Sequence, residues 1–252
     1  MNRDEPLQEK IKASLMGGAI GDALGYTVEF MGRIEIMSRF GAAGLTELQV
    51  DRRTGKAYIS DDTQMTLFTA DGLLWAGHRS LGADAIDGLY PSYMRWYYTQ
   101  QGRMPFPQGE MWLERQPHEM DFSLMDQEEL FARRAPGATC LTALESGIMG
   151  TIKSPLNQSK GCGGVMRVAP VGLRFSSNPA KAFQIGAEAA AITHGHPTGY
   201  LSAGAFAAII AELISGKELS ESVITAQRLL TNYRGHDETL RALEQAVADA
   251  QD

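Results

Sequence analysis

The run Tyr58-Ile59-Ser60-Asp61-Asp62-Thr63-Gln64-Met65-Thr66 gathers two adjacent carboxylates between small hydroxyl residues. After it, Met65, Leu67, Phe68, Leu73, Leu74 and Trp75 supply apolar positions with helical spacing. Ser60 therefore reads as an N-cap, with Asp61 and Asp62 in the first helical turn. Two accounts of the pair are open. The helix dipole favours carboxylates at this end whatever else they do. An oxygen-rich cluster of this kind also suits a hard divalent cation.

Other stretches carry weaker signals. Asp22 and Glu29 lie seven apart, on one face if their helix continues, and two solvated acids explain them equally well. Ser159-Lys160-Gly161-Cys162-Gly163-Gly164-Val165-Met166-Arg167 offers backbone N–H groups unobstructed by side chains, which suits a phosphate or a ribose. A plain turn fits it too, and no Gly-Lys-Ser/Thr run makes it a P-loop. Cys162 lacks a local base to make it a nucleophile. His194 and His196 point to one side if the backbone is extended, but no third soft ligand stands at a spacing useful for zinc. One of them is expected to bond a ligand or buried backbone and the other to face solvent. His78, His118 and His236 stand alone in the sequence and are expected to be structural or exposed.

These residues need a scaffold, and composition bounds it. The 252 residues are 44% hydrophobic and 21% charged, which describes a globular protein rather than a disordered one. A net charge of −7 argues against nucleic-acid binding, which needs Lys/Arg clusters to neutralise phosphates. Two cysteines, Cys140 and Cys162, are too few for a disulfide framework and fit a reducing compartment. The charged start, Met-Asn-Arg-Asp-Glu-Pro, lacks the apolar core of a signal peptide. The most apolar run, Leu201 to Ile214, contains Glu212 and is too short to span a bilayer. A cytoplasmic location with no membrane contact is the expectation.

Periodicity predicts helices over Gln8–Tyr26, Ser60–Gly77, Ala83–Tyr98, Gln127–Arg134, Ala138–Met149, Ala180–Thr193, Thr198–Ile214, Ser220–Tyr233 and Asp237–Ala250. The first is interrupted by Gly17, Gly18, Gly21 and Gly25, tolerable where a backbone or ligand approaches closely. Arg33–Gly55, Gln101–Gln116 and Lys153–Gly164 read as loops. Ala190, Ala203, Gly204 and Ala207 would let helices pack closely. With no strand alternation and no internal repeat, the expectation is one all-α domain over residues 1–252.

Four motifs in order carry a resemblance. Gly17-Gly18-Ala19-Ile20-Gly21-Asp22-Ala23-Leu24-Gly25 with Glu29, then Ser60-Asp61-Asp62-Thr63, then Lys160 to Pro170, then Thr193-His194-Gly195-His196, resemble the ADP-ribosylglycohydrolase family across roughly residues 14 to 214. The resemblance implies a compact all-α fold with a binuclear Mg²⁺ or Mn²⁺ centre at the bottom of a cleft. Ser60, Asp61 and Asp62 match the family's first metal-ligand group, Ser60 standing where Thr is usual. Glu29 matches an acid near the substrate ribose. Ser159, Gly161, Cys162, Gly163, Gly164 and Met166 match the segment that holds the diphosphate and distal ribose, with Cys162 where Asn often stands. His194 matches a residue lining the ADP-ribose pocket.

The implied activity is metal-dependent hydrolysis of the glycosidic bond between ADP-ribose and a modified protein side chain, or of a related derivative. Asp62 is the expected general base and Glu29 a second acid/base group. The family's second ligand group, Asp-x-Asp-Ser/Thr, has no counterpart here: Asp249-Ala250-Gln251-Asp252 has the wrong spacing. The chain is therefore expected to lack the C-terminal portion of the family fold. A non-catalytic relative that binds ADP-ribose-like ligands or a partner protein is the alternative.

Overall fold

Helical periodicity becomes ten α-helices among the described residues, and no strand occurs there. The computed structural model describes residues 7–78, 84–102 and 111–250. The helices are α1 (Leu7–Val28), α2 (Arg33–Phe40), α3 (Asp61–His78), α4 (Ala85–Gln100), α5 (Ala138–Glu145), α6 (Ala169–Arg174), α7 (Pro179–Ala191), α8 (Pro197–Ile214), α9 (Leu219–Leu230) and α10 (Asp237–Asp249). Four short 3₁₀ turns lie between Met111 and Phe131, where one α-helix was expected over Gln127–Arg134.

The core forms around two tight crossings. On α3 and α4, a Cβ at Gly72 would lie 2.8 Å from the Leu89 Cα, and one at Gly88 would meet the Gly72 carbonyl. Backbones touch there, so glycine is the only residue that fits. Met65, Phe68, Leu89, Tyr93 and Trp96 bury themselves on either side of that crossing. The second crossing joins α7 and α8, where a Cβ at Gly186 would lie 2.7 Å from Ala207 Cβ and one at Gly204 2.8 Å from the Phe183 carbonyl. Small residues here do what their composition suggested. Helix α8, at 18 residues, is longer than the apolar run in the sequence and apolar enough to cross a membrane by length and composition. It is instead a core helix, packed on α6, α7 and α9 with nine of its residues buried.

Three expectations are corrected. Arg33–Phe40 is helical rather than loop: Gly41, at φ +86°, ends α2 by donating its N–H to the Met37 carbonyl, so the glycines mark its stop and not an absence of helix. Helix α5 ends at Glu145, because Gly147 turns the chain at φ +68° before Met149. Helix α6 was not foreseen, since six residues are too few to show a period.

A buried charge network fastens the 3₁₀ segment to this core. Arg95 lies within 3.0 Å of Glu119 and 3.4 Å of Asp71, with its guanidinium over the Trp75 ring. The second Asp71 oxygen pairs with His118 Nε2 at 2.8 Å, and Ser92 donates to Asp71 at 2.6 Å. His118 is thus structural, one of the two roles the sequence left open to it.

Candidate functional site

The N-terminus of α3 is where the sequence placed it, and Ser60 caps it by accepting the Asp62 N–H at 3.2 Å. A second cap comes from outside the helix. Asp22, on α1, accepts the backbone N–H groups of Ser60 at 2.9 Å and Thr63 at 3.1 Å, and also the Thr63 hydroxyl. Asp22 is therefore engaged rather than solvated, and it docks α1 on α3. Among the residues of α1 only Ala23 is buried, so this carboxylate is the principal polar tie between the two helices. No other part of the described structure packs against the glycines of α1. Nothing within 4 Å would meet a Cβ at Gly17, Gly18, Gly21 or Gly25, and three of them border an open cleft.

That cleft, of about 580 Å³, gathers Asp22, Glu29, Ser60, Asp62 and Thr63 on one side and Cys162 and Met166 on the other. Neither the Asp62 nor the Glu29 carboxylate has a hydrogen-bond partner among the described residues. Burial, then the charges of Asp22 and Glu29, push the Asp62 carboxyl up to about 6. Glu29 is also raised, by burial and then by Asp22. Asp61 reaches about 7, chiefly through burial, with Asp62 and Glu29 adding to it. Four acids held this close without a counter-charge make the cleft strongly electronegative.

Asp61 itself turns away. One of its oxygens accepts the Gly137 N–H at 3.0 Å, and its own N–H donates to the Arg134 carbonyl at 3.1 Å. It thereby clamps the turn in which Ala135 sits at φ 50°, a left-handed conformation that non-glycine residues rarely adopt.

The remaining predicted residues form a layer behind Cys162. Ser159 accepts the Gly161 N–H at 3.2 Å and shares a 3.1 Å bond with Thr139, so it shapes the loop. A Cβ at Gly163 would come within 2.8 Å of both Cys140 Sγ and His194 Cε1, and one at Gly164 within 2.7 Å of Ala190 Cβ. The glycines thus let the loop lie directly on α7 and His194. Burial, then Arg167, lowers His194 to about 4, keeping the imidazole neutral. His196 caps α8 through Nδ1, which accepts the Thr198 N–H at 3.1 Å. Sequence reasoning missed Asn157, whose side chain joins the layer together: it donates to the Thr193 carbonyl at 2.8 Å and accepts from Ser159 and Gly195. A lone loop asparagine gives no periodic signal.

Whether these residues suit a hard cation can be tested on their chemistry. Carboxylates and a hydroxyl at one cleft wall, with carboxyls raised by burial and then by neighbouring acids, are donors of the right kind. Among the described residues, however, no three His, Cys, Asp or Glu side chains converge closely enough to hold an ion.

The sequence matches the ADP-ribosylglycohydrolase family over residues 3–252. It is also similar to the ADP-ribosyl-[dinitrogen reductase] glycohydrolase of Rhodospirillum rubrum, 24% identical over 230 residues. That alignment covers 90% of this chain and 66% of the relative's length. With the all-helical architecture and the four motifs brought to one cleft and the layer behind it, the chain belongs to the ADP-ribosylglycohydrolase family.

Proposed function

We propose that this chain carries the substrate-facing half of a hydrolase that releases ADP-ribose from a modified side chain or a related derivative. The observation that carries the reading is the meeting of Glu29, Ser60, Asp62, Cys162 and Met166, from three separate motifs, on one cleft. Membership of the family supports it.

Glu29 and Asp62 present unengaged carboxylates to the cleft, and burial, then Asp22 and Glu29, raise the Asp62 carboxyl. An oxocarbenium-like transition state at the ribose would be stabilised by that negative field. Asp62 is the group assigned to accept a proton from the attacking water at its free carboxylate oxygen, since a raised carboxyl is a better base than an ordinary one. Glu29, at the exposed edge, is assigned to the ribose. Ser60 and Asp62, with Asp61, are the residues that would hold Mg²⁺ or Mn²⁺. Such an ion would neutralise the wall and lower the pKa of a bound water. Gly163 and Gly164 keep side chains off the loop backbone that a diphosphate would approach, and His194 is a neutral ring behind them.

The test is release of ADP-ribose from ADP-ribosylated arginine and serine peptides, with and without Mg²⁺ or Mn²⁺. Asp62→Asn is expected to reduce turnover by at least about 100-fold, the usual scale for a general base. No release by the purified protein under any of these conditions would sink the reading. A second reading, a relative that binds ADP-ribose without cleaving it, is favoured by the absence of three converging ligands among the described residues. ADP-ribose binding by calorimetry without turnover would select it.

A further inference from the structure

Arg167 is fully buried, and no carboxylate among the described residues pairs with it. Its guanidinium lies 4.1 Å over the Tyr93 ring, with Met65 and Cys140 sulfurs at 3.5 and 3.7 Å from Nη1. The two ordinary hydrogen bonds it makes both leave Nη2, to the Ala189 carbonyl at 3.0 Å and to Thr193 Oγ1 at 2.8 Å. A buried cation lacking a partner charge is costly, so what it does at Thr193 is informative.

Arginine can only donate, so Thr193 Oγ1 must accept there. The threonine has one proton of its own to give. His194 Nδ1 lies 2.9 Å away, and the Ala190 carbonyl, at 3.5 Å, is at the limit of hydrogen bonding. Cys140, kept a thiol by burial, is a poor acceptor. His194 Nδ1, at 2.9 Å against 3.5 Å for the Ala190 carbonyl, is the acceptor that geometry favours for this proton. A neutral imidazole that accepts at Nδ1 carries its hydrogen on Nε2. Nε2 has no hydrogen-bond partner among the described residues. It faces the underside of the glycine loop, 3.1 Å from where a Cβ of Gly163 would stand and 3.3 Å from that of Gly161.

We infer that Arg167 and Thr193 are positioning residues that fix His194 as an Nε2–H donor aimed through the glycine loop at an anionic group, the diphosphate of an ADP-ribose ligand. The choice of ligand rests on the function proposed above; the relay itself does not. The cation orients the hydroxyl, the hydroxyl sets the tautomer, and the same cation opposes protonation of the ring. Gly161 and Gly163 keep side chains off Nε2, since a Cβ there would lie 3.3 and 3.1 Å from it.

Ring-nitrogen shifts of ¹⁵N-histidine-labelled protein read the tautomer directly, with His194→Gln identifying the signals. The expected wild-type spectrum shows His194 protonated at Nε2, bare at Nδ1, and unchanged between pH 8 and pH 5. Thr193→Val keeps the shape and removes the hydroxyl, and it should shift the ring toward the other tautomer and weaken ADP-ribose binding by about 10-fold. Thr193→Ser should restore both. This pair carries the test because substituting Arg167 can unfold the core around it. A wild-type ring protonated at Nδ1, or a tautomer unmoved in Thr193→Val, overturns the relay. A shifted tautomer with unchanged ADP-ribose affinity overturns its role in ligand binding. If the wild-type protein shows the assigned tautomer but does not bind ADP-ribose, the relay stands and the proposed ligand falls.

Discussion

Asp22 and Thr63 meet across two helices, with the carboxylate Oδ2 of the first accepting both the N–H and the hydroxyl of the second. The same oxygen takes the Ser60 N–H, so one side chain of α1 caps the helix that carries the acidic pair. This places Asp62 in the cleft and leaves Glu29, seven residues further on, along the same rim.

Removing that cap should loosen the site before it unfolds the protein. Asp22→Ala is expected to lower stability by about 1–3 kcal/mol, the range for a charged acceptor with several donors. Urea denaturation measures it. Exchange protection of the Ser60 and Thr63 amides should fall by more than that of α8.

The raised carboxyls of Asp61 and Asp62 have a calculable sign. Their folded values, about 7 and about 6, exceed the ordinary 3.8, so the folded state holds protons that the unfolded chain has released. The resulting penalty is absent below pH 3.8, grows as pH rises toward 6–7, and is constant above. Without added metal, Asp61→Asn with Asp62→Asn should therefore melt higher than wild type at pH 8. The gain should shrink as pH falls from 7 to 4. Mg²⁺ or Mn²⁺ should raise the Tm of the wild type at pH 8 and leave the double variant unmoved; the two proteins responding alike would show that the pair binds no ion.

Glycines of equal appearance should behave oppositely. At Gly17, on the open face of α1, Ala meets nothing and gains helix propensity, so stability should rise by about 0.5–1 kcal/mol. At Gly163 the added methyl would press on Cys140 and His194, so a loss of about 1–3 kcal/mol is expected. Thermal melts of the two variants separate these roles.

Among the described residues, Arg95 is the one Lys or Arg paired with Asp71 and Glu119. Arg95→Ala leaves both acids buried without it, and a loss of about 3–5 kcal/mol should follow. Limited proteolysis should then cut first between Met111 and Phe131, the segment that the network fastens.

Helix content was legible because α3, α4, α7 and α8 bury periodic apolar stripes, and periodicity is a local property. Boundaries were less so: α2 and α6 are too short for a stripe, and their ends depend on contacts. Residues 103–110 of the expected loop Gln101–Gln116 lie outside the described residues. The acidic pair illustrates the limit of local reading. Spacing put both aspartates in one helical turn, but adjacent residues on a helix point about 100° apart. Only the fold decides that Asp62 faces the cleft while Asp61 reaches for Gly137.

By itself, then, the sequence determined an all-helical chain, its family motifs and the chemical types available to its cleft. These follow from residue type and short-range spacing. The tertiary structure decided which of them act together: Asp22 as the cap of another helix, Asn157 as the pin of the glycine loop, and Arg167 behind Thr193 and His194. The Asp22–Thr63, Asn157–Thr193 and Arg167–Thr193 bonds each join residues more than 20 positions apart, and only packing brings such groups within hydrogen-bond reach.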